Sequence, residues 1–309
     1  MYRKILEHQR KNWYNKNIVK SKEQWMESIL EETRFIMKKY NIKANKSLGQ
    51  NFLISQEVVE KIVDCSNITK NDLVIEIGPG LGTLTKYLLD KAGKVICIEL
   101  DTKMLNILKD RFSLYNNFQI INNDVLKVDL KNIIKTEKEN PEINNVKIVA
   151  NLPYYITTPI IMKLLEEELE LESITVMIQK EVADRLIAIP GQKNTGAITY
   201  SVYYYATSEG ILEVPNNSFI PEPEVTSKVI KLNIRKNPVV NPNDKEKMFK
   251  VIKCAFMQKR KTLLNSLTNN KIFDNKQQGT EILKTLGIDE NIRPEALTLE
   301  QFAKISDNI

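Results

Sequence analysis

Hydrophobic and polar positions follow two different periods along the middle of the chain, between residues 72 and 179. Short runs rich in β-branched residues are typical of buried strands, and longer stretches with apolar positions three to four residues apart are typical of helices. The predicted strands are Leu73–Ile77, Lys94–Glu99, Phe118–Asn122, Val146–Ala150 and Ile174–Ile178, and the predicted helices are Leu84–Leu89, Lys103–Phe112 and Ile160–Leu169. This alternation indicates an α/β fold with a parallel sheet and helices on both faces.

The pattern changes on both sides of this region. Over the first forty residues, apolar positions at helical spacing, among them Trp25, Ile29 and Ile36, predict helix. Later segments are predicted as a helix at 181–189, a turn at 190–196 and a closing pair of strands at 208–215 and 227–235. The tyrosine-rich segment 197–206 fits a strand and a buried helix equally well, so its secondary structure stays open.

Beyond residue 236 the chain carries no strand signal. Two prolines in the segment 237–244 favour a linker, and the amphipathic segments 247–267 and 279–286 predict helices. We therefore expect three parts: an N-terminal helical extension over 1–28, an α/β domain over 29–236 and a small helical domain over 237–309.

Composition narrows the class of protein. Ordinary proportions of aromatic and charged residues exclude wholesale disorder, and no apolar run approaches the roughly 18 residues of a membrane span. The N-terminus lacks the apolar core of a secretory signal, and three scattered cysteines favour reduced thiols in a cytoplasmic protein. The single histidine, His8, lies in a polar leader, which argues against a catalytic triad, a histidine-bound metal or a histidine general base.

The net charge of +6 is the sum of regions of opposite sign. Residues 1–46 carry a net charge of +7, residues 47–224 carry −8, residues 225–293 carry +9 and residues 294–309 carry −2. This distribution fits a merely soluble surface, and it fits equally a polyanionic partner that is bound by the two basic flanks.

A glycine-rich segment follows the first predicted strand. Gly78, Gly80 and Gly82 fall within five residues at a strand end, where open α/β sheets bind ligands. Their GxGxG spacing differs from the GxGxxG of a dinucleotide site. Glu99 ends the second strand, where a carboxylate can accept both hydroxyls of a ribose, and Asp124 follows the third, where an acceptor suits an adenine amine. Together they predict a nucleoside site, although Asp124 alone also fits a solvated turn.

The fourth predicted strand leads into Asn151-Leu152-Pro153-Tyr154 at the same edge of the sheet. Asparagine and proline are ordinary turn residues, so a simple turn also fits. The position beside the nucleoside site favours chemistry on an amine whose lone pair is delocalised. The Asn151 side-chain oxygen and the Leu152 carbonyl can accept its two N–H bonds, while Tyr154 stacks on its ring. Such a site acts by positioning and electrostatics and needs no histidine.

These motifs together resemble the ribosomal-RNA adenine N6-dimethyltransferases, a class I S-adenosylmethionine-dependent family. KSLGQNFL at 46–53 is similar to the family's opening signature, and SFIPEPEVTSKVI at 218–230 to a later one. AFMQKRKTLLNSL at 255–267 and IRPEALTLEQFAKIS at 292–306 resemble the small helical domain of the enzyme for small-subunit rRNA. The resemblance runs from about Leu30 to the C-terminus, and the leader 1–28, for which we favour an accessory helix, lies outside it.

The resemblance implies a class I methyltransferase domain with a Rossmann-like, mostly parallel seven-stranded sheet, S-adenosylmethionine as methyl donor and no metal. It implies cofactor contacts at Asn51, Leu53, Gly78, Gly80, Glu99, Asp124 and Asn151. It implies catalysis at the turn formed by Asn151, Leu152, Pro153 and Tyr154, with Phe219 closing on the target base opposite Tyr154.

The implied reaction is four methyl transfers, two on each of two adjacent adenosines in the 3′-terminal hairpin loop of small-subunit rRNA. A loop suits this chemistry, since RNA is read mainly where bases can be splayed out. Lys259, Arg260 and Lys261, predicted on a helix of the small domain, would contact phosphates without reading bases, although a basic helix face is often only solvated. We expect the substrate to be the immature small ribosomal subunit and the enzyme to be a monomer.

Three other functions remain open at this point. The same chemistry on large-subunit rRNA would confer macrolide resistance, and mapping the methylated nucleotide separates the two. A non-catalytic ribosome-assembly factor would keep the fold and act by binding. Transfer to a protein glutamine amide uses a similar Asn-Pro-Pro-Tyr turn, but Leu152-Pro153 and the basic flanks argue against it.

Overall fold

The computed structural model describes residues 28–45, 49–192, 194–258 and 260–309. Residues 1–27 of the predicted N-terminal extension, which include His8 and Trp25, lie outside these ranges. The basic residue Lys259 also lies outside them. The first described helix, α1 (Ile29–Lys39), begins where the Ser28 hydroxyl accepts a hydrogen bond from the Glu31 amide at 3.2 Å.

The strands include all five that the pattern predicts and the closing pair. They are β1 (Phe52–Leu53), β2 (Asp72–Ile77), β3 (Lys94–Glu99), β4 (Phe118–Asn122), β5 (Asn145–Asn151), β6 (Ser173–Gln179), β7 (Ala206–Val214), β8 (Phe219–Ile220) and β9 (Ser227–Ile234). Seven of them form one sheet in the order β4-β3-β2-β5-β6-β9-β7, while β1 and β8 form a small antiparallel pair. Strands β2 to β6 are parallel and β9 is antiparallel to both neighbours, so the predicted mostly parallel seven-stranded sheet is confirmed.

Helices connect the strands and form the C-terminal region. They are α2 (Gln56–Cys65), α3 (Thr83–Lys91), α4 (Thr102–Phe112), α5 (Leu130–Glu137), α6 (Thr157–Glu166), α7 (Lys180–Leu186), α8 (Ala197–Tyr205), α9 (Lys245–Phe256), α10 (Leu263–Asn269), α11 (Lys276–Thr285) and α12 (Leu299–Asp307). Helix α6 ends three residues before the predicted Leu169, close to the positive φ of 50° at Glu168. In the described part of the chain, no helix has the length and apolarity to span a membrane.

The segment 247–267 is divided between the two helices α9 and α10, so the prediction of one continuous helix is wrong. Helix α10 has its own N-terminal cap, because the Thr262 hydroxyl accepts a hydrogen bond from the Asn265 amide at 3.4 Å. Arg260 and Lys261 therefore lie in the connection between α9 and α10, not on a helix as predicted, and both are exposed.

Alternate residues of the fully buried strand β2 enter different hydrophobic cores. Leu73 and Ile75 belong to one core and Val74 to another, as expected for a sheet covered on both faces.

A third core lies among the C-terminal helices and includes tyrosines of α8, the helix formed by the tyrosine-rich segment. Tyr200 is fully buried there and donates a hydrogen bond to the Leu297 carbonyl at 2.7 Å. The segment 237–244, which has neither helix nor strand, packs Val239 and Val240 against the same core. The predicted domain boundary at residue 236 stays a prediction, since α8 precedes it and shares this core.

Candidate active site

The carboxyl ends of the central parallel strands surround one cavity. Because parallel strands end at the same edge of a sheet, residues that follow β2, β3, β4 and β5 meet there. The cavity is lined by all of the predicted cofactor residues and the whole predicted catalytic turn: Asn51, Leu53, Gly78, Gly80, Glu99, Asp124, Asn151, Leu152, Pro153 and Tyr154.

The glycine loop after β2 lines part of this cavity through Gly78, Pro79, Gly80 and Leu81. Gly78, Gly80 and Gly82 have φ angles of 66°, 56° and 82°, a region that glycine adopts at little cost. The loop is tied to β3 by the Gly78 amide, which donates to the Ile98 carbonyl at 3.0 Å. The loop is also bound to α4, because the guanidinium of Arg111 donates a hydrogen bond to the Leu81 carbonyl.

Glu99 is the carboxylate at the end of β3. Its Oε2 accepts a hydrogen bond from the Gly80 amide at 3.2 Å and its Oε1 accepts one from the Asp101 amide at 2.8 Å. Burial raises the pKa of Glu99, and the two backbone hydrogen bonds oppose this shift because they favour the charged form. These bonds fix the carboxylate next to the glycine loop, where it can accept hydroxyl donors of a bound nucleoside.

Asp124 fits both roles that the sequence allows, a turn residue and an acceptor for a bound ligand. Its Oδ1 accepts a hydrogen bond from the Leu126 amide at 3.0 Å and so caps the short 3-10 helix Val125–Lys127. The same residue lines the cavity. A turn residue and a ligand acceptor are therefore compatible roles at this position.

The opening signature and the catalytic turn meet at Asn151. The Asn151 Nδ2 donates to the main-chain carbonyl of Asn51 at 3.4 Å, a contact across 100 residues of sequence. Because the amide donates through its nitrogen, its oxygen is left to accept an N–H from a ligand. The Leu152 amide donates to the Met177 carbonyl at 3.1 Å, which fastens the turn to β6.

Tyr154 begins a single 3-10 turn, Tyr154–Ile156, at the wall of the cavity. Its phenol oxygen lies 2.5 Å from Ser227 Oγ, the first residue of β9. Burial raises the pKa of Tyr154, and the Ser227 hydrogen bond partly opposes this shift. The phenol is therefore uncharged at neutral pH and presents a neutral ring to the cavity.

Phe219 is not among the residues that line the cavity. It is 2% exposed, lies opposite Leu53 in the β1–β8 pair and belongs to a hydrophobic core. The structure thus does not bring Phe219 and Tyr154 together around an open space. The contact of Phe219 with a target base stays a prediction.

The sequence motifs did not point to Glu76, which lies within β2 and lines the same cavity. It is 2% exposed, and its Oε2 accepts hydrogen bonds from Thr85 Oγ1 at 2.6 Å and from Cys97 Sγ at 3.4 Å. Burial raises the pKa of Glu76 to about 7. An acid inside the apolar run VIEIG is an available signal, since charged residues are rare in fully buried strands.

Ser227 and Tyr155 were also missed. Tyr155 lies at the mouth of the cavity with 57% of its surface exposed. Neither residue has a sequence signal, because a lone serine at a strand start and a second tyrosine in a turn are ordinary.

The donor set of the cavity fits S-adenosylmethionine. A buried carboxylate stands beside a glycine loop, and apolar side chains such as Leu81, Ile98 and Val125 line the space between the polar groups. Within the described ranges, no cluster of three or more histidine, cysteine, aspartate or glutamate residues could hold a metal ion.

The sheet order, the antiparallel strand β9, the glycine loop after β2 and the carboxylate after β3 define a class I S-adenosylmethionine-dependent methyltransferase. The model of the family described as ribosomal RNA adenine dimethylase matches residues 41–309, and the chain belongs to this family.

Known proteins agree with this assignment. The chain is 45% identical over 279 residues to ribosomal RNA small subunit methyltransferase A of Alkaliphilus oremlandii. The aligned region covers 90% of this chain and 96% of that protein. A crystal structure of a dimethyladenosine transferase from Plasmodium falciparum superposes with a TM-score of 0.67 at 27% identity. The superposition covers 82% of this chain and 95% of that one. The crystal structure of the 23S rRNA methyltransferase ErmE superposes with a TM-score of 0.62 over 84% of this chain and 99% of that one. At 22% identity this likeness shows the fold alone.

Proposed function

We propose that this protein dimethylates the N6 amines of two adjacent adenosines in the 3′-terminal hairpin loop of 16S rRNA, within the immature small ribosomal subunit. The observation that carries the proposal is the convergence of the catalytic turn at Asn151 and Tyr154 with the cofactor residues Gly78 and Glu99 in one cavity. The 45% identity to a small subunit methyltransferase supports the choice of substrate.

The cofactor side of the cavity is built by the glycine loop, Glu99 and Asp124. S-adenosylmethionine supplies, when bound, a methyl group on a positively charged sulfur. Glu99 would accept the ribose hydroxyls, and Asp124 would accept the amine of the cofactor adenine. Asn51 and Leu53 close the cavity from the side of β1.

The target side is built by the turn after β5. An adenine amine is a poor nucleophile because its lone pair is delocalised into the ring. The Asn151 side-chain oxygen and the Leu152 carbonyl would accept its N–H bonds and so localise the lone pair on nitrogen. The ring of Tyr154 would hold the extruded base by stacking, as in other enzymes that act on flipped bases. The turn contains no base, so the proton lost from N6 passes to water.

The basic C-terminal region would bind the RNA backbone outside the active site. Arg260 and Lys261 are exposed in the connection between α9 and α10, and with Lys259 they form a run of three cations. Contacts of this kind position a nucleic acid without reading its bases. We expect a cytoplasmic monomer that works without a metal.

A side-by-side assay tests the substrate. The protein is incubated with labelled S-adenosylmethionine and either undermethylated small subunits or large-subunit rRNA, and nucleosides are identified by mass spectrometry. We expect N6,N6-dimethyladenosine in the small-subunit rRNA alone. Label in the large-subunit rRNA would favour a resistance methyltransferase, and RNA binding without label would favour an assembly factor.

Variants of the turn test the site. Asn151→Ala and Tyr154→Ala should abolish methyl transfer while RNA affinity stays near that of the wild type, because most RNA contacts lie elsewhere. Asn145→Ala is a matched control, since Asn145 lies at the opposite end of β5. Substantial transfer by Asn151→Ala would contradict the assignment of the site.

A further inference from the structure

The segment 218–230 reaches the catalytic turn through Ser227. Ser227 is the first residue of β9, and none of its surface is exposed. Its Oγ lies 2.5 Å from Tyr154 Oη, across 73 residues of sequence. Phe219, in the same segment, packs in the core instead. In this structure, therefore, the group that the segment presents to Tyr154 is the Ser227 hydroxyl.

Ser227 is itself held rigidly by the sheet. β9 lies between β6 and β7, and Ser227 is in register with Gln179 on one side and Val214 on the other. Next to it, the Lys180 amide donates to the Thr226 carbonyl at 2.9 Å. Because the backbone of Ser227 is paired on both sides, its side-chain hydrogen bond ties the phenol of Tyr154 to the sheet.

Tyr154 lies at the N-terminal end of its element. It is the first residue of the 3-10 turn Tyr154–Ile156, which runs directly into α6, and Pro153 before it provides no side-chain cap. The main chain there does not fix the side-chain rotamer, so the ring can change its orientation unless its far end is held. The hydrogen bond to Ser227 acts on the phenol oxygen, which is the atom furthest from the backbone.

We propose that Ser227 is a positioning residue that holds the Tyr154 ring in the orientation on which the target adenine stacks. The proposal rests on the function proposed above, because it takes an adenine as the base that enters the cavity. Stacking depends on ring orientation, and misplacement of a reacting group by about 1 Å can cost a large factor in rate. In this role the Tyr154 hydroxyl serves to anchor the ring and does not contact the reacting amine.

A double-mutant cycle tests the role. Ser227→Ala and Tyr154→Phe remove the same hydrogen bond from opposite ends, and Tyr154→Phe keeps the aromatic ring. Each should lower kcat by about two- to tenfold, the usual worth of one hydrogen bond, with the KM for RNA near that of the wild type. The double variant should be no slower than the slower single variant, since the bond can be lost only once.

Ser173→Ala is the matched control. Ser173 is a buried strand serine at the opposite end of the β6–β9 pair, opposite Asn233, and its Oγ makes no hydrogen bond with the described residues. Its kcat should equal that of the wild type. Thermal unfolding of all variants shows whether a loss of rate follows a loss of folded protein.

A fluorescent base gives a readout that does not depend on turnover. An RNA hairpin with 2-aminopurine at the target position loses fluorescence when that base stacks on an aromatic ring. We expect less quenching with Ser227→Ala than with the wild type or Ser173→Ala, at saturating protein.

The outcomes separate this role from the proposed function. Wild-type kcat and quenching in Ser227→Ala would overturn the positioning role alone. So would a Tyr154→Phe variant far slower than Ser227→Ala with additive effects in the double variant, because the hydroxyl would then act directly on the base. A wild type and a Ser173→Ala control that both form no dimethyladenosine would overturn the proposed function itself.

Discussion

Glu76 is a carboxyl group enclosed in β2 beneath the glycine loop. Burial raises its pKa to about 7, since the charged form loses its hydration, and the hydrogen bonds from Thr85 and Cys97 return only part of that loss. In the unfolded chain the same group ionises near 4.5. Folding therefore holds a proton on Glu76 at pH values where the unfolded chain has lost it.

Glu76→Gln should change the pH dependence of stability. Between pH 4.5 and about 7 the folded protein binds more protons at Glu76 than the unfolded chain does, so the contribution of this residue to stability falls as pH rises. Glutamine does not ionise, so the free energy of unfolding of the variant relative to the wild type should rise across this window, by at most about 3 kcal/mol.

Urea unfolding at several pH values between 4.5 and 8 measures this difference. The same series on Glu139→Gln, a substitution at an exposed glutamate, is the control. A difference for Glu76→Gln that does not change with pH would show that Glu76 ionises normally in the folded protein.

At the scale of elements, the glycine loop and α4 approach each other more closely than a side chain would allow. Gly82 has a φ of 82° and caps the start of α3. A Cβ at this position would lie 2.6 Å from the Phe112 ring and 2.8 Å from Leu108, and both of these side chains are buried. The path of the loop along the cavity thus depends on glycine at this position.

Gly82→Ala should lower the free energy of unfolding by about 1–3 kcal/mol, because it adds backbone strain and overpacks the contact with α4. It should also weaken the binding of S-adenosylhomocysteine, measured by calorimetric titration. Gly196→Ala is the control, since Gly196 also caps a helix start but has a φ of −147° and open space around it. Equal stability of the two variants would contradict this account of the loop.

Elements with a strong periodic signal were predicted well. β3 and β4 match their predicted bounds because each is a short run of apolar residues between clear turns. The helix α8 could not be assigned, since tyrosines occupy most of its faces and its buried side is set by contact with the C-terminal helices. The break before α10 was missed because the apolar period continues across it, although α9 ends at Phe256 and Thr262 caps the start of a new helix.

In the candidate site, too, some residues could be predicted from the sequence and some contacts could not. Gly78, Glu99 and Asn151 were predictable because strand ends in a parallel sheet converge, so local positions translate into proximity. The Tyr154–Ser227 contact was not, because it joins residues far apart in sequence and depends on the position of β9 between β6 and β7. The burial of Phe219 likewise depends on the pairing of β1 with β8.

At the scale of the whole molecule, an acidic central region is flanked by basic segments. The central region holds the cavity at the ends of the parallel strands, and the basic stretch 225–293 includes α9, α10 and α11. The exposed position of Arg260 and Lys261 makes the connection between α9 and α10 accessible to a phosphate backbone.

Neutralising Lys259, Arg260 and Lys261 together should reduce the salt dependence of RNA binding. Each phosphate contact contributes about 0.9 to the slope of log affinity against log salt concentration, so the slope should fall by up to about 2.7 units. Affinity is measured by fluorescence anisotropy with a hairpin RNA at several salt concentrations.

Three exposed lysines of the acidic region serve as the control, and replacing Lys91, Lys109 and Lys131 should leave the slope unchanged. An unchanged slope for the basic cluster would make it a solvated surface without RNA contacts.

The most direct test of the central claim is a count of the methyl groups that the protein adds to small subunits lacking this modification. Mass spectrometry of the 3′-terminal rRNA fragment gives both the number and the position of these groups. We predict four added methyl groups, as two adjacent N6,N6-dimethyladenosines in the hairpin loop, and none with Asn151→Ala. A fragment without added methyl groups, or with methyl groups only at other nucleotides, would contradict the account.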